Sequence, residues 1–348
     1  MDDRPPPALR VDLHTHILPE SWPDLEARFG YPGWVRLDHL PGAPCRARMM
    51  IGDTLFREID DPCWSPARRL ADCDRDQVDV QVLSTVPVMF SYWARPADGL
   101  EVSRLLNDHL AGVIQAHPRR FLGLGTVPMQ APDLAIRELT RCVRDLGLSG
   151  IQIGTNVNGR NLDEPELFEI FACAEELGAA VFVHPWEMLG RERMPRYWLP
   201  WLVGMPAETC LAIASLLFGG VLDRLPRLRI GFAHGGGSFP GTFGRLQKGY
   251  ECRPDLVATH TTRSPRECLG RFYLDSLVHD PGALRTLIDL VGADRVAMGS
   301  DYPFPLGEIP PGRTIDAMED LSDAMRARLL GGTALEFLNR TDQGLGDE

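Results

Sequence analysis

Residues 11–18 read VDLHTHIL. The run is β-branched and apolar and follows the turn-prone RPPPA at 4–8, so it is expected to form a strand. Strand side chains alternate between faces, which puts His14 and His16 on the same side. Two imidazoles on one face can share a metal ion. With nine histidines in 348 residues, about 0.2 H-x-H pairs arise by chance, so this pair needs partners from elsewhere in the chain. The same stretch separates two folds. An open doubly wound sheet usually places a glycine-rich phosphate loop after its first strand. Here that position holds H-T-H.

Working outward, strand and helix alternate. Strands are expected at 11–18, 80–87, 121–129, 150–157, 179–186, 228–237, 271–278 and 295–304. Helices are expected at 66–77, 100–117, 132–147, 164–178, 208–225, 239–251 and 281–292, with C-terminal helices near 314–321 and 322–339. Residues 19–64 form a long irregular stretch rich in Pro, Gly, Asp and Trp, and 187–207 a loop carrying Tyr197, Trp198 and Trp201. Eight strand–helix units imply a closed (β/α)8 TIM barrel, an α/β fold in which one domain reaches this length. The expected organisation is a single barrel domain over 1–348, with 19–64 inserted over its mouth. An open doubly wound sheet is the competing architecture.

In such a barrel the chemistry sits at the C-terminal ends of the strands. His14 and His16 fall late in the first strand, His184 late in the fifth (FVHPW), His234 late in the sixth (FAHGGG) and Asp301 at the end of the eighth (GSDYPFP). A lone strand-end histidine is ordinary, and a strand-end Asp is often a helix cap. Five such residues on one rim suit a divalent transition metal, zinc first because it favours imidazole and is redox-inert. Iron or manganese fits the same ligand types. Spacing leaves open whether His184 or His234 is the third histidine ligand, the other then being a base. The fourth strand, GIQIGTNV, has no Lys, His, Asp or Glu, which favours a mononuclear site. The three glycines after His234 fit either a close approach of backbone or substrate, or plain turn chemistry.

Composition narrows the classes. Net charge is −12 with no basic run, which argues against nucleic acid as a partner. No apolar stretch of about 18 residues stands out, so no membrane span is expected. The N-terminus lacks the apolar core of a signal peptide, and none of the eight cysteines forms a C-x-x-C pair; a cytoplasmic protein with free thiols is expected. Lys248 is the only lysine, so Schiff-base chemistry would have to use it.

The rim residues resemble those of the amidohydrolase superfamily. FREID (56–60), STVPVMFSYWA (84–94), GIQIGT (150–155), FVHPWEM (182–188), YWLPWLVGMPAET (197–209), FAHGGGSFP (232–240) and GSDYPFPLGE (299–308) are similar, within it, to the aminocarboxymuconate-semialdehyde decarboxylase family. The likeness runs from about residue 11 to 338, leaving the N-terminal extension and the acidic tail outside. It implies zinc-dependent, non-oxidative and non-hydrolytic decarboxylation of a small carboxylated substrate in tryptophan catabolism by the kynurenine pathway. It further implies that His14, His16, His184 and Asp301 hold the zinc and that His234 is the base for a metal-activated water. Arg57 would bind substrate carboxylate, while Arg245 would reach the neighbouring site of a homodimer. Trp201, Trp198, Phe56 and Phe304 would line the pocket. Another metal-dependent decarboxylase, hydrolase or hydratase on this scaffold is the alternative that the rim residues alone allow.

Overall fold

The computed structural model describes residues 8–346, so positions 1–7 of the N-terminal extension and the last two of the acidic tail lie outside the described residues. Eight strands form one parallel sheet: β1 Val11–Ile17, β2 Val80–Thr85, β3 Phe121–Gly125, β4 Gly150–Gly154, β5 Ala180–His184, β6 Arg229–Phe232, β7 Tyr273–Asp275 and β8 Val296–Ala297. Each pairs with its successor in sequence. The sheet closes on itself just past β8: Leu13 N donates to Met298 O at 2.9 Å, Asp301 N to His14 O at 2.8 Å and His16 N to Tyr302 O at 2.9 Å. This is the (β/α)8 barrel expected from the alternation.

The strands are near-continuous apolar runs because both of their faces are covered. Val11, Leu13, Val80, Val82, Leu124 and Phe182 fill the barrel interior, and Phe337 and Leu338 join this cluster from the C-terminal helix. A larger outer cluster packs the strands against their helices. The helices begin and end where local chemistry dictates. Ser65 caps Pro66–Asp76 by accepting from Arg68 N, with Pro at the first turn, and Phe168–Leu177 stops at Gly178 with φ +62°.

Four expectations are corrected. Residues 19–64 are largely regular: a short helix Leu25–Phe29 precedes an antiparallel three-stranded sheet, Val35–Leu40, Ala43–Ile51 and Thr54–Asp60. Its turns at Gly42 and Gly52 have positive φ, and that glycine and proline content made the segment look irregular. The sheet is fixed to the barrel by its own apolar cluster, in which Trp34, Val35, Met49 and Ile59 meet Val86, Val88, Met89 and Phe304.

The loop after β5 ends early. Residues Pro200–Gly204 make a π-helical turn that runs straight into helix Met205–Phe218. Within this continuous segment an 18-residue window has mean hydropathy 1.6, long and apolar enough on length and composition alone to cross a membrane, a stretch the sequence reading does not single out. The apolarity has a local cause: Met205, Cys210, Ile213, Leu216 and Leu217 are buried against the fold. Glu208, buried in the same helix, accepts from Asn156 Nδ2 at 3.0 Å and Leu189 N at 2.8 Å. The helix expected near 314–321 is a single turn, Arg313–Asp316, whereas the one expected at 322–339 is present as a continuous run, Asp323–Ala327 and Thr333–Phe337 joined by a π turn at Arg328–Gly332. Finally, β6 and β8 end before His234 and Asp301, which sit in the turns that follow.

Candidate metal centre and active site

Those turns impose unusual backbones. His234 has φ +56° and Asp301 φ +58°. Left-handed non-glycine residues cost of order 1–3 kcal/mol each and persist only where the surroundings enforce them. Asp301 is enforced by the barrel seam, through its N–H to His14 O. His234 opens a run in which Gly235, Gly236 and Gly237 all have positive φ. A Cβ on Gly237 would lie 2.4 Å from Pro206 O, so these glycines meet a turn and a close backbone approach together.

The five rim residues converge. Ring centroids of His14 lie 5.1 Å from His16, 5.0 Å from His184 and 5.1 Å from His234, and those of His184 lie 5.0 Å from His16 and 5.1 Å from His234. Donor atoms of His14, His184, His234 and Asp301 fall within 4.8 Å of one another. His16 Nε2 is 3.2 Å from His14 Nε2 and 3.0 Å from Asp301 Oδ1.

The outer nitrogens explain what the inner ones can do. His14 Nδ1 faces Asp275 Oδ2 at 2.7 Å, His16 Nδ1 faces Thr85 O at 3.0 Å and His184 Nδ1 faces Pro185 O at 3.0 Å. Carboxylate and carbonyl oxygens only accept, so each Nδ1 carries the proton. In the neutral rings every Nε2 is then a lone pair aimed at the others, an arrangement that favours a cation between them. His184 Nε2 is buried without a hydrogen-bond partner among the described residues. Three imidazoles and a carboxylate with fixed outer partners fit a divalent transition ion.

The electrostatics of His184, His16 and Asp301 agree with this donor set, whereas the field at His14 favours its protonated ring. Burial, reinforced by the neighbouring His16, His14 and His234, holds His184 well below its usual range and therefore neutral. Burial likewise lowers His16. Burial would raise Asp301, but the neighbouring His16, His234 and His14 outweigh it and hold the carboxyl well below its usual range. His14 is raised despite burial, because Asp275 and Asp301 stabilise its protonated form.

A cavity of about 560 Å³ opens on this cluster, lined among others by His16, His184, His234, Asp301, Phe56, Arg57, Trp198, Trp201 and Phe304. The His234 side chain is 19% exposed, whereas those of His14 and His16 are fully enclosed. Arg57, on the third strand of the inserted sheet, has its guanidinium carbon 4.7 Å from the Phe304 ring, 5.7 Å from Phe56 and 5.8 Å from Trp201. Burial lowers its pKa, with Asp301 opposing. The structure thus brings together every expected site residue except Arg245, which is exposed on helix Phe239–Cys252 and does not line its own chain's cavity.

Two participants escaped the sequence reading. Asp275 ends β7, and the strand-end rule that selected Asp301 applies to it equally. Gln152 fills the interior position of β4, accepting from Ser84 Oγ at 2.6 Å and donating to Thr85 O at 3.0 Å, behind His16. Its polar atoms are committed to that network.

Known proteins resemble this chain over most of its length. The family described as Amidohydrolase matches residues 11–340. A 2-amino-3-carboxymuconate-6-semialdehyde decarboxylase of Dictyostelium discoideum is 58% identical, covering 95% of this chain and 92% of its own. One from Caenorhabditis elegans is 38% identical over 95% and 94%. The crystal structure of 5-carboxyvanillate decarboxylase from Novosphingobium aromaticivorans, complexed with manganese, superposes with TM-score 0.77 at 22% identity, over 95% of this chain and 96% of that one. By this extent of likeness, the chain belongs to the amidohydrolase family and, within it, to the 2-amino-3-carboxymuconate-6-semialdehyde decarboxylases.

Proposed function

We infer that this chain removes carbon dioxide from 2-amino-3-carboxymuconate-6-semialdehyde to give 2-aminomuconate-6-semialdehyde, with no oxidant and no hydrolysis, as a step of tryptophan catabolism by the kynurenine pathway. The observation that carries the reading is the convergence of three Nε2 lone pairs and Asp301 at the base of a cavity whose upper wall holds one arginine. The 58% identity to a protein of that name supports the substrate.

His14, His16, His184 and Asp301 would hold the ion. Zinc suits three imidazoles and one carboxylate; the manganese of the structural neighbour makes that metal the alternative. When bound, such an ion supplies positive charge and brings the pKa of a water molecule near neutrality. The protein's own groups do the rest. A carboxylate on a double-bonded carbon leaves poorly, because the released electron pair has no delocalised orbital to enter, so that carbon must first become tetrahedral. His234 Nε2, facing Asp301 at 3.9 Å and open to the cavity, accepts a proton from a water whose oxygen adds to the neighbouring carbon of the double bond, and returns that proton to the carboxylate-bearing carbon; carbon dioxide then leaves, its electron pair re-forms the double bond, and the added oxygen departs as hydroxide that regains a proton from solvent. Arg57 pairs with a substrate carboxylate through its planar fork. Phe56, Trp201 and Phe304 pack around that guanidinium and exclude water, which strengthens the pairing.

The working unit in this reading is a homodimer, with Arg245 delivered to the neighbouring cavity. Its exposure outside its own cavity supports this, as do the exposed apolar side chains of Tyr197, Leu202 and Val203 beside the pocket residue Trp198. Eight unpaired cysteines support a reducing, cytoplasmic compartment.

The test is a direct assay of metal-loaded enzyme. The semialdehyde should be consumed with stoichiometric release of carbon dioxide, at a kcat/KM far above that for 5-carboxyvanillate or γ-resorcylate. Turnover of the aromatic acids with the semialdehyde untouched would overturn the substrate.

A further inference from the structure

We propose that Asp275 is a positioning residue that sets the His14 ring and the His234 main chain with a single carboxylate. The proposal rests on the metal-site reading above. Asp275 is fully buried at the end of β7. Its Oδ2 accepts from His14 Nδ1 at 2.7 Å and from the His234 backbone N–H at 2.9 Å. Its Oδ1 accepts from Gly235 N at 2.8 Å and Leu277 N at 3.1 Å. Four donors saturate the lone pairs an ionised carboxylate presents.

Each bond has a separate consequence. The one to His14 keeps the proton on Nδ1 and leaves Nε2 as the lone pair facing the other ligands. The ones to His234 and Gly235 pin two successive left-handed residues, φ +56° and +60°, in a single 3₁₀ turn that is kinked at Gly235. Ligand and base therefore share one anchor, and a shift of that anchor moves both. The approach of β7 to β1 is also tight. A Cβ on Gly299, just past β8, would lie 2.9 Å from the Cβ atoms of both Asp275 and His14, so a side chain there would wedge the pair apart.

Asp275→Asn preserves shape. Whichever way the amide sits, its NH2 faces N–H donors that it cannot accept from. Metal affinity, measured by competition with a chelator, should weaken by about 10–100-fold. At saturating metal, kcat should remain about tenfold or more below wild type with KM little changed, because His234 is displaced independently of the ligand. Glu138→Gln is the control for general destabilisation. It removes a buried carboxylate that accepts from Asn107 and Arg141, away from the cavity, and should leave both readouts near wild type. In the wild-type holoenzyme, the amides of His234 and Gly235 should exchange with solvent about 100-fold more slowly than free loop amides. Wild-type metal affinity in Asp275→Asn, or full recovery of kcat on adding metal, would overturn the proposal. So would fast exchange at those two amides, a result that stands even if the variant does not fold. Failure of the wild type to bind metal would instead overturn the site reading beneath it.

Discussion

His14, His16 and His184 donate their Nδ1 protons to a carboxylate, a strand carbonyl and the carbonyl of the next residue. His234 differs: its backbone, not its ring, is the part tied to Asp275, and its ring borders the cavity. That contrast is the ground on which we propose His234 for proton transfer. His234→Asn should therefore keep stoichiometric metal while turnover falls by about 10²–10⁴-fold; metal analysis and kcat on one preparation check this. Loss of the metal instead would make His234 a ligand, as its closeness to His14, His184 and Asp301 permits. These side chains were legible in the sequence because strand ends of a barrel are where chemistry collects. Asp275 holds the same position but is not marked by the sequence, because its partners, one ring nitrogen and three backbone amides, leave no trace in spacing. Arg57 was legible only through family resemblance. Its location depends on a sheet that had not been recognised.

Among the elements, the barrel strands declared themselves, since burial on both faces forces long apolar runs. The inserted sheet did not. Val35–Leu40 alternates as a half-exposed strand should, but the turns around it carry the proline and glycine that mark loops, and its outer face is charged. The consequence is functional: the strand Thr54–Asp60 carries Phe56 and Arg57 into the cavity on a hydrogen-bonded scaffold in place of a free loop. Over Pro200–Phe218 the composition suggests a loop to 207 and a helix from 208. The π turn at its start places Trp201 on a continuous helical segment, where its ring reaches the Arg57 guanidinium. A strained turn type of this kind has no composition signal and is set by packing.

For the whole molecule, an anionic substrate must approach a protein of net charge −12. Screening limits that repulsion to about 8 Å at physiological salt, so arginines at the cavity decide. If the second arginine comes from a partner subunit, Arg57→Ala and Arg245→Ala homodimers should both be nearly inactive. Co-refolded mixtures should recover about a quarter of wild-type activity, since half of the random dimers are mixed and half of their sites then hold both arginines. Mixed dimers without recovery would show that the site is not shared.

In the proposed site, residues remote in sequence converge on one cation, with a fourth histidine left free. Anomalous diffraction at the metal edge from crystals of the loaded protein tests it most directly. One ion is expected about 2.0–2.2 Å from Nε2 of His14, His16 and His184 and from a carboxylate oxygen of Asp301, with His234 outside bonding range. An ion bound by His234 in place of His16, or no ion at this rim, would contradict it.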